Sequence, residues 1–527
     1  MGRVAAERVA TSARRGRRDG PRAPSWLIVV SVAVGALLAT PLIGVAYQAF
    51  SANSATLRRV LQGPLLATLL THTVLLTVIV SMSCGVVGLG TAWLVERTDL
   101  PGRRVFAVLL LLPLAVPEYV AGYSWVSLSP RVRGLWGAAL VMTLSLYPLV
   151  YLPVAATMRR SDPALDEVAQ SLGVGPINRF FRITIASVKQ PLVGAMLLVA
   201  LYLLAEYGAF SILRYQTFAT AIYTQYTLGF NGPAASVLTL LLCLLGVVLL
   251  MGESRVDRVR RPGRETRLPA HRARLGYGAP AAVAALVGLC ALAIGVPVGS
   301  IIYWMNRGSS TTLPSASVLG TALQSLTLGG VAAVAATVLA LPVAVLGVRH
   351  PGRVSATIER AAFLDRALPG IALGLTLVTI SVHHLRPLYQ STVLLEASYV
   401  ILFFPLALVA IRASVARVPR SLDEAARSLG ATPAEVIRRV TIPLVLPGIA
   451  AAATLVWLSA TTELTATLLL RPTGLNTLAT QFWMYTTGLA YGAAAPYAAI
   501  MILMSIIPVS LLTRLSRSTT HNNGIRR

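Results

Sequence analysis

Twelve apolar stretches, each about twenty residues or longer, dominate this 527-residue chain. They run near 26–49, 73–95, 105–127, 136–158, 191–213 and 233–251, then near 279–303, 322–348, 363–382, 392–411, 444–463 and 494–513. A helix needs about 20 mostly apolar residues to cross the roughly 30 Å hydrocarbon core of a bilayer. The stretches lack the two-residue alternation of barrel strands, and backbone polar groups in lipid must be satisfied within each segment. The expected fold is therefore an all-α integral membrane protein with twelve transmembrane helices. A charged fraction of 12% is about half that of a soluble globular chain, and excludes an ordinary water-soluble enzyme.

The charge is lopsided. The formal net charge is +26, and of the 45 cationic residues only Lys189 is a lysine. Taking the N-terminal tail, every second loop and the C-terminal tail as one side, that side holds 37 of the 45. By the positive-inside rule both termini are expected in the cytoplasm. The basic balance is thus topological, with anionic lipid headgroups as the expected partner and no nucleic acid. The run from Trp26 to Phe50 is too long for the roughly 7–15-residue apolar core of a cleaved signal, so it reads as an uncleaved first span. Cys84, Cys243 and Cys290 each stand alone in an apolar run, so neither a disulfide framework nor a metal site is expected.

The chain is also a duplication. LDEVAQSLGVGPINRFFRIT from Leu165 and LDEAARSLGATPAEVIRRVT from Leu422 share Asp, Glu, Ser, Leu, Gly, Pro and Arg at a constant offset. The register carries on to Glu206 and Glu463, Arg214 and Arg471, and Thr220 and Thr477. Six spans per copy is even, so the repeats run parallel. The organisation that follows is a basic tail (1–25), a first transmembrane domain (26–251), an arginine-rich cytoplasmic linker (252–278), a second transmembrane domain (279–513) and a tail (514–527).

In each repeat the loop after the fourth span has the makings of a two-helix knuckle. Gly173 and Gly430 suit a left-handed helix stop, while Pro176 and Pro433 suit the start of a second helix. Leu429, Val436, Ile437 and Val440 give the hairpin an apolar side, fit for docking into a partner's groove or for lying on lipid.

The second copy, Glu424-Ala425-Ala426, three residues, Gly430, nine residues, then Val440-Thr441-Ile442-Pro443, closely resembles the EAA loop of ABC-importer permeases. The first departs from it, with Val168 for the first alanine and Ala186 for the closing proline. The resemblance implies a fused MetI-like pseudo-dimer. It also implies that Glu167, Ala169, Gly173 and Pro176, with Glu424, Ala425, Ala426, Gly430 and Pro433, couple the chain to two separate ATPase subunits. An extracytoplasmic binding protein, periplasmic or lipid-anchored, would deliver the cargo. Leu112–Val120, Glu206-Tyr207-Gly208 and Thr467–Pro472 further resemble fused iron(III) permeases, with thiamine, sulfate and polyamine permeases as relatives.

A phosphate-binding GxxxxGK[ST] loop needs a lysine, and Lys189 sits in Val-Lys-Gln, so no such loop exists. ATP and Mg2+ are accordingly expected on the partner, with no cofactor held directly and no catalytic residues. Carboxylates inside membrane spans are costly and mark function. Glu206 and Glu463, at equivalent points of the two repeats, and Glu118 with Tyr119 and Tyr207, are expected along the translocation path. Pairing with Arg214 and Arg471 is the structural alternative. A major-facilitator-type transporter also has twelve spans in two parallel halves, but it leaves the duplicated fourth loop unexplained.

Overall fold

The computed structural model describes residues 23–160, 168–169, 171–258, 273–307, 316–364, 366 and 368–521. Among these the chain is helical, with no strand and one isolated bridge, between Thr98 and Ala273. In the first repeat the principal helices are α1 (Ser25–Phe50), α2 (Pro64–Arg97), α3 (Glu118–Leu128), α4 (Gly134–Arg160), α5 (Pro176–Arg179), α6 (Ile185–Ala205), α7 (Gly208–Ile212), α8 (Phe218–Thr227) and α9 (Gly232–Arg258). In the second they are α10 (Gly276–Arg307), α11 (Ala316–Arg349), α12 (Arg353–Leu364), α13 (Gly370–His384), α14 (Thr392–Arg417), α15 (Arg420–Ser428), α16 (Pro433–Val436), α17 (Ile442–Thr461), α18 (Thr465–Leu470), α19 (Leu478–Thr487) and α20 (Tyr491–His521).

Each of the twelve predicted stretches falls on apolar helix, but they are not twelve uniform spans. Among the described residues nine helices are long and apolar enough to cross a membrane. A broken pair, Arg103–Ala115 and Glu118–Leu128, bent by 90°, makes a tenth if it is counted as one span. Gly370–His384 and Tyr491–Ile506 are shorter apolar helices. The bend has a local cause. Pro113 lies in a tight 3-10 turn and Pro117 precedes α3 with extended backbone, so neither supplies an N–H to continue the helix. Pro148, Pro153 and Pro405, by contrast, lie inside unbroken α4 and α14.

Contacts divide the chain into two compact bodies. One comprises residues 1–43, 327–366 and 396–460, and so joins most of α1 to α12, α14 and α17 of the second repeat. There Phe404, Tyr399 and Ile411 are fully buried. The other comprises 44–326, 367–395 and 461–527 and holds the larger core, built on Tyr123, Tyr147, Phe210, Phe218 and Phe482. Within it α2 and α4 pack closely: a methyl group on Gly88 would lie 2.7 Å from Val150 Cβ.

Among the described residues three π-helical turns interrupt this α-helical plan. Phe180–Thr184 precedes α6, Ile437–Thr441 precedes α17 at the same place in the repeat, and Ala291–Gly295 lies within α10.

Candidate functional site

The second repeated loop forms the hairpin expected of it, and the described residues of the first turn in the same way. Gly173 has φ +77° and Gly430 φ +88°, the left-handed conformation that a side chain resists. Past each glycine the chain folds back in one pattern. Val174 N–H donates to Ala169 O at 3.0 Å, and Ala431 N–H to Ala426 O at 3.1 Å, the six-to-one bond of a Schellman stop. Pro176 and Pro433 then open α5 and α16.

What the knuckles present is also clear. Leu172 is 76% exposed and Leu429 88% exposed, large apolar side chains left unburied at the hairpin tips. Val168 and Phe181 are exposed on the first knuckle, as are Glu424 and Ala425 on the second. Ala169 and Val436 face inward instead. A cleft of about 330 Å³ runs between the helices of the second knuckle, lined by Ala426, Leu429, Gly430, Val436 and Arg439 among others. Glu167 lies outside the described residues.

The copies are held differently. In the second, Thr432 and Glu435 make a capping box: Thr432 N–H donates to Glu435 Oε2 at 3.0 Å, and Glu435 N–H to Thr432 Oγ1 at 3.4 Å. In the first, the matching positions are Gly175 and Asn178, which cannot form it. The spelling T-x-x-E at Thr432 and Glu435 is the sequence signal for it. The first knuckle leans on α2 instead, where Trp93 meets the Phe180 ring edge-on at 5.6 Å.

A second constellation lies in the larger body. Helix α6 ends at Ala205, Glu206 takes extended backbone, and the chain restarts as α7. Glu206 Oε1 accepts from Ala209 N–H at 2.6 Å and so caps the new helix. Glu463 repeats this between α17 and α18, accepting from Ala466 N–H at 3.1 Å and from the Thr467 hydroxyl at 3.4 Å. A methyl group on Gly370 would lie 2.8 Å from Glu463 Oε1, so this carboxylate also abuts the start of α13. Glu118 opens α3, and Glu206 is within electrostatic reach of both Glu118 and Glu463. All three keep part of their surface accessible, and none is ion-paired with an arginine or lysine among the described residues.

The expected arginine alternative is not what the side chains do. Arg471 donates to Asn476 Oδ1 at 2.8 Å and to Leu475 O at 3.3 Å. Both tyrosines of the predicted path are buried and occupied. Tyr119 donates its hydroxyl to Thr462 O at 2.9 Å, and Tyr207 packs between Tyr223 and Trp483 at 4.6 and 5.4 Å. Among the described residues no three His, Cys, Asp or Glu side chains converge as a metal-holding group. One buried carboxylate was missed by sequence reasoning: Glu396, half-buried on α14, with an Oε2 that makes no hydrogen bond.

Comparison with known proteins decides between transporter classes. Residues 85–259 and 336–521 each match the family described as binding-protein-dependent transport system inner membrane component. This chain belongs to that family. It is an ABC-importer permease, with one family domain in each repeat. An Fe(3+)-transport system permease protein of Haemophilus influenzae is 36% identical over 94% of this chain and 99% of its own length. A sulfate transport system permease protein of Escherichia coli is 26% identical over 41% of this permease and 84% of its own length. A probable molybdenum ABC transporter permease of Haloferax volcanii is 24% identical over 43% and 90%. The half-length relatives fit a permease made of two repeats, of which they cover the equivalent of one.

Proposed function

We propose that this permease forms the translocation path for ferric iron across the cytoplasmic membrane, both termini being cytoplasmic. A separate extracytoplasmic protein binds and delivers the iron, and two separate ATPase subunits, which bind ATP and Mg2+, dock on the two knuckles. The observation that carries the docking is the duplicated hairpin. Two copies of one stop motif hold large apolar side chains out in solvent, which is unfavourable unless a partner covers them. The likeness along nearly the whole chain to a permease named for Fe(3+) transport supports the cargo.

Electrostatics favours a cation over the oxyanions named for the shorter relatives. Glu118, Glu206 and Glu463 lie in one body with no arginine or lysine paired to them among the described residues, a set of carboxyl oxygens that suits a hard cation better than sulfate or molybdate. Glu206 keeps one oxygen outside its cap, while both oxygens of Glu463 already accept hydrogen bonds, which suits transient passage rather than chelation. The test is uptake into proteoliposomes holding the permease, its ATPase and its binding protein. ATP-dependent entry of radiolabelled ferric iron, unaffected by excess sulfate or thiamine, is expected. Entry of sulfate, or of thiamine, in place of iron refutes the cargo.

A further inference from the structure

Helix α15 carries the start of the second knuckle, and it is poorly anchored by apolar burial. Of its described side chains, Asp423 alone is buried, while Ala426 is half-buried and the rest are exposed. A nine-residue helix with so little packing is marginal by itself. Its one inward side chain meets a charge: Asp423 Oδ2 lies 3.2 Å from Arg349 Nε. The two side chains are 12% and 9% exposed, so water screens the pair weakly. Arg349 is the last residue of α11 and Asp423 is in the first turn of α15, so each charge sits at the helix end whose dipole favours it. The next residue, Glu424, faces outward.

The first repeat carries the same parts. Helix α2 has 34 residues, as α11 does, and it too ends in a buried arginine, Arg97. Asp166 stands at the repeat position of Asp423, outside the described residues.

We propose that the Arg349–Asp423 ion pair is the joint through which displacement of the second knuckle reaches α11. The pair positions the knuckle for transport and is separate from the surface that docks the ATPase. The inference rests on the reading that the knuckle receives an ATPase. Helix α16 is continuous, through the π turn, with α17, so the knuckle already moves that helix by chain connection. The link to α11 is different, because it is made by two side chains 74 positions apart in sequence. At 1.5 Å per residue the 34 residues of α11 extend about 50 Å, so a push at one end is carried across a bilayer. A buried ion pair adds little net stability over an apolar pair, but losing one member strands a charge, so the joint is sensitive to removal of either partner.

The test compares ferric iron transported per ATP hydrolysed in proteoliposomes of the complete complex. With Arg349→Gln or Asp423→Asn the ATPase still co-purifies and hydrolyses ATP, while iron moved per ATP falls about tenfold, within the range for loss of a coupling contact. The swap of Arg349→Asp with Asp423→Arg recovers part of that loss, in part only because the swapped charges oppose the helix dipoles. Arg349→Lys keeps the charge but not the planar fork, and lowers the ratio about threefold, which decides the matter should the neutral variants not accumulate. An unchanged ratio in the single variants, or no recovery in the swap, overturns the joint. Loss of ATPase co-purification overturns it too, because the pair then serves docking. If the unaltered complex shows no ATP-dependent uptake, the reading of function fails whatever the variants do.

Discussion

Replacing Gly430 by alanine isolates the backbone contribution to the knuckle. Its φ is +88°, and an added Cβ meets nothing within 4 Å, so no steric contact enters the result. A left-handed conformation costs a non-glycine residue about 1–2 kcal/mol. Alanine also narrows the unfolded ensemble, which returns about 0.4–1 kcal/mol. The net is about 1 kcal/mol, or about fivefold in the opening equilibrium of the hairpin. Hydrogen exchange reads it directly at the Ala431 amide, whose bond to Ala426 O exists only while the chain is turned back. Exchange there is expected about fivefold faster in Gly430→Ala and nearer the original rate in Gly430→Asn, since asparagine tolerates this region. Gly173→Ala should do the same at Val174. Gly175→Ala, where φ is not left-handed and a Cβ is equally free, should leave Val174 unchanged. Equal rates for Gly430→Ala and the original protein would refute the claim that a left-handed stop sets the hairpin.

Three further outcomes follow from the site. Thr432→Ala removes the capping box and should weaken α16 by about 1 kcal/mol, read as faster exchange in the second knuckle with none in the first. Glu206→Gln combined with Glu463→Gln keeps an acceptor oxygen for Ala209 and Ala466 but removes the charge. The complex should assemble while iron uptake falls, and unchanged uptake would remove these carboxylates from the path. Vanadate should stop uptake by the reconstituted complex, whereas a proton ionophore should not; the reverse would mark an ion-driven carrier.

Much of this was legible because it is local. Gly173, Gly430, Pro176 and Pro433 act through their own backbone, so the hairpins follow from spelling and spacing. Apolar runs likewise locate helices without reference to anything distant. Proline is less decisive. Pro113 and Pro117 break a span, but Pro148, Pro153 and Pro405 do not, since surrounding helices hold the chain around a missing N–H. The breaks at Glu206 and Glu463 stand on no proline or glycine immediately before them, and appear only once the capped helices behind them are seen. The equivalence of the two glutamates was visible; that Glu206 lies within electrostatic reach of Glu118 and Glu463 was not, because it joins three remote segments. The same holds for Arg349 with Asp423. Partition of α1 with elements of the second repeat is long-range in the same sense, and no local pattern records it.

The π turns sort themselves by repeat. Such a turn widens a helix by one residue. Phe180–Thr184 and Ile437–Thr441 occupy the same register, each between a knuckle and the long helix after it. The turn at Ala291–Gly295 has no counterpart among the described residues, for α1 is unbroken over Ser25–Phe50. The irregularity beside the knuckles thus belongs to the repeated unit itself, and the one in α10 to a single copy.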